Sequence, residues 1–411
     1  VPFPRITILF SGVLALVVCA GCGQAPGRSS TGEAMSEMSD MRSITDGVLR
    51  HELANGLVLL VRPVPGAGAT ALVTRVNTGY FHEPDELTGI SHVVEHMFFN
   101  GTPTRPDPED ISRQTKELGG VLNAATAYDH TSYYAVLPEE QWRAGLEIQA
   151  DALQNPLFDA AVLEKEMGAI KQEARRKLDN PGALGREKMF ALAHEKHRIR
   201  RWRIGTEEAL DRIDRDALVR WYEDHYRPGN VILSVVGDVD ADSVVAAVEE
   251  LYGAMPVGHL RQRGGPPEPR QDSLRYDRIN GQLKRAYLFI GFHAPGTGHP
   301  DVPALDILST ILGTGRASRL SMRLRDEIGA VTSIGASSWQ YEDIGLFEIS
   351  AVGDPIHLDR ATREVFLELE RLRRFGPTPG EMDRARRILL TGQAMELEEV
   401  LGQANSLAAY E

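Results

Sequence analysis

The chain has 411 residues, with 58 acidic against 45 basic side chains and a formal net charge of -13. That balance argues against a nucleic-acid-binding surface, and two cysteines cannot make a disulfide scaffold. With 42% hydrophobic residues there is ample apolar material for the cores of two domains.

Residues 1–22 do not belong to a fold. Arg5 precedes an apolar run, Ile6 to Ala20, which is too short for the roughly 20 apolar residues of a membrane span and fits a signal peptide. The end of the run, Ala20-Gly21-Cys22, resembles a bacterial lipoprotein cleavage site with Cys22 as the lipidated residue, although Cys19 stands where a Leu is usual. An ordinary secretory signal is the alternative. Gly23 after Cys22 leans towards sorting to the outer membrane by the same resemblance, so any membrane attachment would be through a lipid anchor. The two cysteines are Cys19 and Cys22, so the mature domain can form no internal disulfide. Residues 23–46 are rich in Gly, Ser, Met and acidic residues without periodicity and read as a flexible tether.

His51 to Arg62 and Ala69 to Asn77 are strand-like runs separated by turn residues. The stretch Gly89 to Gly101 follows, and inside it lies His92-Val-Val-Glu95-His96. On a helix, His92 and His96 sit one turn apart and Glu95 shares their face. Neutral imidazole is a good zinc ligand, and a catalytic zinc takes three protein ligands and keeps one position open for water. In this order of residues, the inverse of H-E-x-x-H, the Glu is the general base and not a ligand. Two His and a Glu also fall into this spacing by chance, so a third ligand decides the matter.

Asp107 to Leu118 reads as a helix closed by Gly119-Gly120, with strands at Val121 to Ala127 and Thr131 to Leu137 and a further helix from Pro138 to Asn155. Asp159 to Lys177 is a well-marked helix: Asp159 as N-cap, acidic first turns, basic last turns, Pro181 just beyond. Leu163, Glu166, Ile170, Glu173 and Lys177 fall on one stripe at the helical period. A carboxylate buried on such a face is costly unless paired or bound to metal. Glu164 points elsewhere, into solvent. The alternative for the Glu166/Glu173 pair is a charged helix surface.

Three features together, Gly89 to Thr102, the run Leu118-Gly-Gly-Val-Leu-Asn-Ala-Ala-Thr-Ala127 and the Glu166/Glu173 pair, resemble the pitrilysin/insulinase family of zinc metallopeptidases in its shorter, processing-peptidase-like branch. The resemblance runs from about Leu53 to about Arg387, and the separation of His96 from Glu173 matches that of the family's third ligand. It implies one Zn2+ per chain held by His92, His96 and Glu173, Glu95 as base, and Glu166 as a carboxylate orienting a ligand. It implies an α+β fold of two related domains, each a mainly antiparallel sheet flanked by helices, which close as a clamshell. It also implies that Val121 to Ala127 is an edge strand to which an extended peptide substrate is added, with Asn123 and Ala124 near the scissile bond. For Asn123 a plain turn or edge role stands beside this one.

Past the candidate ligands, Arg198-Ile-Arg-Arg-Trp-Arg203 is a basic run that reads as a solvated loop and not as a nucleic-acid site; its setting before Ile204-Gly-Thr206 matches a family loop. Asp214 to Tyr226 is helical and Asn230 to Asp238 a buried strand. The catalytic domain is thus placed at 47–254, a Gly-, Pro- and Arg-rich linker at 255–274, and a second domain without zinc at 275–411. In the latter, strands are expected at Arg285 to Phe292, Val331 to Ser337 and Gly345 to Val352, and helices at Val302 to Leu312, Ser318 to Glu327, Leu358 to Phe375 and from Pro379. Gly313-Thr-Gly315 lacks the Lys and spacing of a phosphate loop and reads as a helix-entry turn.

If the second half matches the first, it should continue past Glu411, so the second domain is expected to be incomplete, and Val1 in place of Met fits an alternative start. In the family, the half without zinc supplies an Arg and, seven residues later, a Tyr. Here Arg325 stands at the first position, with a surface ion pair as the alternative, and Thr332 occupies the second. A Thr hydroxyl cannot reach where a phenol would. The resemblance therefore implies a second peptidase-like subunit, or a C-terminal continuation, to complete the site. Two functions remain: a zinc endopeptidase acting on short or unfolded peptides in the periplasm, or a catalytically weak or silent scaffold subunit of a two-chain peptidase.

Overall fold

The structure is a computed structural model and describes residues 45–258 and 266–411. The signal peptide, Cys22 and nearly all of the tether lie outside the described residues, as does part of the linker. Val1–Asp46 and Gly47–Glu411 are separate units, and only the second is described here.

In its first half, β1 (Leu49–Glu52), β2 (Val58–Pro63) and β3 (Ala69–Val76) lead to α1 (Ile90–Phe98) and α2 (Asp110–Glu117). The hairpin β4 (Val121–Thr126) and β5 (Thr131–Pro138) precedes five helices, α3 (Trp142–Gln154), α4 (Ala160–Leu178), α5 (Pro181–Ala193), α6 (Glu207–Leu210) and α7 (Arg215–His225). Then come β6 (Val231–Gly237) and α8 (Ala241–Tyr252). The six strands form one sheet in the order β1-β2-β6-β3-β5-β4, antiparallel except for β2 with β6. Strand β6, Val-Ile-Leu-Ser-Val-Val-Gly, is buried at every residue and so belongs in the middle. Strand β4 alternates between exposed and half-buried residues and ends the sheet, with its outer edge open among the described residues.

The second half holds β7 (Ala286–Pro295), α9 (Val302–Gly313), β8 (Ser333–Gln340), β9 (Ile344–Gly353), α10 (Leu358–Phe375), α11 (Pro379–Glu396) and α12 (Val400–Tyr410). Its antiparallel sheet runs β7-β9-β8. This is the expected α+β class, sheets flanked by helices. Each half has its own core, around Leu59, Leu72, Val93, Met97, Leu146 and Val248 in the first and Leu312, Leu324, Ile349, Val365 and Leu372 in the second. A third cluster, including Phe81, Tyr128, Phe190, Ile199 and Leu346 with Phe289 and Tyr341 against it, joins them.

Some expectations change. Helices α5, α6 and α8 were not foreseen. Pro181 does end α4, but Asn180 caps a new helix with Pro181 at its first position, the place where proline's missing N–H costs nothing. The segment expected as a helix from Ser318 is π-helical at Ser321–Glu327. Gly313 is the last residue of α9, and the turn that follows it leads into the helical segment from Arg319, as expected of a helix-entry turn. The basic run is not a solvated loop either. The Arg201 side chain is 8% exposed and donates to the carbonyls of Tyr80 and Glu83, Arg198 donates to Phe81 O, and Arg203 pairs with buried Glu187. Backbone carbonyls of another loop take up the charge that its sequence would show to water.

The halves also exchange helices. Helix α5 packs on β7, with Arg186 forked onto buried Glu348 at 2.9 and 3.0 Å. Helix α12 returns to pack on β3 and β6, and Arg50 meets Glu411 at 2.8 Å.

Candidate metal centre

Helix α1 buries Ile90, Val93, Val94, Met97 and Phe98 in the first core, which leaves His92, Glu95 and His96 on the flank that faces α4. Helix α4 starts where Asp159 accepts the N–H groups of Ala161 and Val162, and it buries Leu163, Met167, Ile170 and Ala174. Glu166 and Glu173 stand beside that stripe, and Glu164 is exposed as expected.

The two helices bring their polar residues together. The Nε2 atoms of His92 and His96 each lie 3.9 Å from Glu173 Oε2. The ligating atoms of His92, His96 and Glu173 lie within 4.8 Å of one another, and among the described residues this is the one group of three such side chains so placed. His96 Nδ1 is 3.0 Å from Glu166 Oε2. A carboxylate there fixes the proton on Nδ1 and leaves the Nε2 lone pair free to bind metal. Burial, then the neighbouring His96 and Lys177, hold His92 down at about 3, so its ring is neutral at neutral pH. Two imidazoles and one carboxylate suit zinc, whose bonds of about 2.0–2.2 Å put donors roughly 3.4 Å apart around a tetrahedral ion. The two spacings to Glu173 are 3.9 Å and no pair exceeds 4.8 Å, so small side-chain rotations would close the three donors on the ion, and the residues present fit it.

Glu95 lies next to the donors without belonging to them. Burial pushes its carboxyl up from the ordinary value, opposed by the Thr126 hydroxyl and by His96. Thr126 Oγ1 donates to Glu95 Oε2. Thr126 was missed in the sequence, where it is one more β-residue in the Leu118–Ala127 run. Its only signal there was its place on the face that β4 turns inwards, shared with Leu122 and Ala124. Asn123 lies on the opposite, exposed face, its Oδ1 accepting the Ala124 N–H at 2.8 Å. Arg325 is not brought to the site by any contact in the structure: its guanidinium pairs with Asp326 at 2.8 Å. Thr332 donates to Val352 O and accepts from Arg285.

Residues 59–206 match the insulinase family, peptidase family M16, and residues 212–389 match the peptidase M16 inactive domain. An uncharacterized zinc protease of Rickettsia felis is 31% identical over 354 residues, which cover 85% of this chain and 84% of that one. The chain belongs to the insulinase family. The uncharacterized zinc protease YmxG of Bacillus subtilis is another relative, 28% identical over 85% of each chain. Among solved structures, a protease from Helicobacter pylori superposes with a TM-score of 0.82 at 24% identity, over 88% of both chains. A peptidase M16 inactive domain from Pseudomonas fluorescens does so at 0.80 and 18%, again over 88% of both. The periplasmic protease PqqL from Escherichia coli has a TM-score of 0.73 at 21% identity, and the match covers 89% of this chain but 42% of PqqL. All the donors and Glu95 fall within the insulinase match. The break between the two family matches, at 206–212, does not coincide with the sheets, since β6 at the centre of the first sheet falls in the second match.

Proposed function

We propose that this insulinase-family protein is a zinc-dependent endopeptidase that hydrolyses short or unfolded peptides, with one Zn2+ per chain held by His92, His96 and Glu173. The observation that carries the reading is the meeting of these three donors from two helices, with Glu95 at their side. Zinc bound there supplies Lewis acidity towards a carbonyl oxygen and towards water. Glu95 takes the proton of the attacking water and passes it to the leaving nitrogen, and its burial brings its affinity for that proton closer to neutrality. Thr126 holds the Glu95 oxygen in place, and Glu166 keeps the Nδ1 proton of His96. An extended peptide adds to the open edge of β4 through backbone hydrogen bonds, with Ala124 on the Thr126 face and Asn123 on the other.

The full machinery is proposed to need more than the residues here. In the first sheet β3 pairs with β5 on one side and β6 on the other; in the second, β7 pairs with β9 and has no strand on its other side among the described residues. Together with Arg325 turned to Asp326 and Thr332 in place of a Tyr, this supports a second peptidase-like subunit or a C-terminal continuation that completes the second half. The match of that half to an inactive domain favours the other reading as well, a catalytically weak or silent partner subunit. We further propose export through residues 1–22 and attachment to the outer membrane of a Gram-negative-type bacterium by lipid on Cys22, with a periplasmic site of action. Among the described residues no helix is long and apolar enough to cross a membrane.

Metal content and peptide hydrolysis of the purified chain, wild type beside Glu95→Gln, test the reading. Stoichiometric zinc in both proteins and cleavage only by the wild type are expected. A protein without zinc, or Glu95→Gln cleaving at the wild-type rate, overturns it.

A further inference from the structure

Helix α1 begins without a cap of its own, because its N-cap is Gly89, at φ +99°. The cap comes from six residues upstream. Glu83, 1% exposed, spreads its carboxylate over the start of the helix: Oε2 accepts the Gly89 N–H and Oε1 the Ser91 N–H, both at 2.9 Å. Burial pushes this carboxyl up to about 7, against the pull of the two N–H groups and of Arg201. Two N–H donors, one on each oxygen, suit the carboxylate and not the acid.

Glu83 is itself held from behind. Arg201 donates to the carbonyls of Glu83 at 2.8 Å and Tyr80 at 2.5 Å, and Arg198 to Phe81 O at 2.6 Å. The two loops also touch backbone to backbone: a Cβ on Gly89 would meet Ile204 O at 2.5 Å, and one on Gly205 would meet Thr88 O at 2.2 Å. The basic run and the segment before α1 thus form one brace, and the Glu83 carboxylate is the part of it that grips the helix.

We propose that Glu83 is a positioning residue for peptide hydrolysis, which sets the rotation and depth of α1 so that His92 and His96 meet Glu173 and Glu95 meets Thr126. A buried carboxylate is costly unless its charge is met, and here helix N–H groups and the positive end of the helix meet it. That compensation exists only while the helix starts at Gly89. A slip of one residue would turn the donors by about 100° and break the site. Ser91 precedes His92 directly, so the grip acts next to the first donor.

This inference rests on the metallopeptidase reading, and the test separates the two. Wild type, Glu83→Gln and Glu83→Asp are compared by amide hydrogen exchange of α1 in the metal-free protein, by the visible spectrum with cobalt(II) in place of zinc, and by peptide turnover. For Glu83→Gln we expect α1 amides to exchange about tenfold faster and cobalt to bind about 10–100-fold more weakly with a shifted spectrum, with kcat reduced by a similar factor and KM little changed. Glu83→Asp keeps the charge but reaches only one N–H, and should fall between. Glu83→Gln with wild-type exchange, spectrum and kcat overturns the proposal; if Glu83→Gln does not fold, wild-type behaviour of Glu83→Asp overturns it instead. A wild type that binds no cobalt removes the metallopeptidase reading, and the exchange data still decide whether Glu83 holds the helix.

Discussion

Two sets of carboxylates in this molecule, one in each half, have opposite company. In the second half they meet cations: Glu348 is forked by Arg186, and Glu381 by Arg319 at 2.5 and 2.7 Å together with the Thr378 N–H and hydroxyl. Arg319 above all, then Thr378, hold Glu381 down at about 2. At the candidate metal centre no arginine touches Glu95, Glu166 or Glu173 in any contact seen; imidazoles and a hydroxyl do. Burial accordingly pushes Glu95 up, not down. A carboxylate with a guanidinium at hand is an anchor and will not give up or take a proton near neutrality. One facing imidazoles and a hydroxyl keeps its affinity for a cation.

The largest effect should come from taking the proton acceptor out of the first half. Glu95→Gln should retain metal and lose hydrolysis by roughly 10²–10⁴-fold, measured as kcat on a peptide beside the zinc content. Next, Glu173→Ala should lower zinc affinity far more than Glu164→Ala, which stands exposed one side of the same helix away; equal losses in a competition titration would remove the contrast between site and surface carboxylates. Glu166→Gln should weaken zinc binding by about 10–100-fold, since the His96 Nδ1 proton loses its charged acceptor.

The second half should respond in stability alone. Arg319→Ala should destabilise the protein by roughly 1.5–3 kcal/mol, in chemical denaturation, and leave zinc affinity unchanged. Because the folded value of Glu381 is depressed from the ordinary 4.5 to about 2, its contribution is present above 4.5 and is lost as the pH falls towards 2. The gap between wild type and Arg319→Ala should therefore narrow between pH 5 and pH 2. The smallest effect should be that of Thr126→Val. Its hydroxyl favours the ionised Glu95, so without it the Glu95 pKa rises and the acid limb of the pH–rate profile moves to higher pH, with little change on the plateau.

Much of the site was legible because its parts are local. The spacing of His92, Glu95 and His96 needs only the helical repeat, and the stripe on Asp159 to Lys177 with its Asp N-cap needs little more. The family resemblance then joined the two helices. Thr126 and Glu83 were not legible. Thr126 acts from a strand on a residue 31 positions away and Glu83 from a bend on a helix start six positions on, and nothing in a Thr within a β-run or a Glu before Pro84 says which group it will face. The basic run was misread for the same reason: four arginines within six residues look solvated unless the carbonyls of Tyr80, Phe81 and Glu83 are known to lie against them.

Local sequence determined where α4 and α10 begin and end, and which residues of α1 and α4 share a face, because capping, helical period and proline act within a few residues. Whether Pro181 merely ended a helix or also began another could not be settled that way, since proline suits both positions. Only the tertiary structure decided that α5 would lie on the second sheet and α12 on the first, and that Glu173 would reach the two imidazoles. Those outcomes depend on which apolar surfaces remain uncovered once each sheet has formed, a property of the assembled chain that no window of sequence contains.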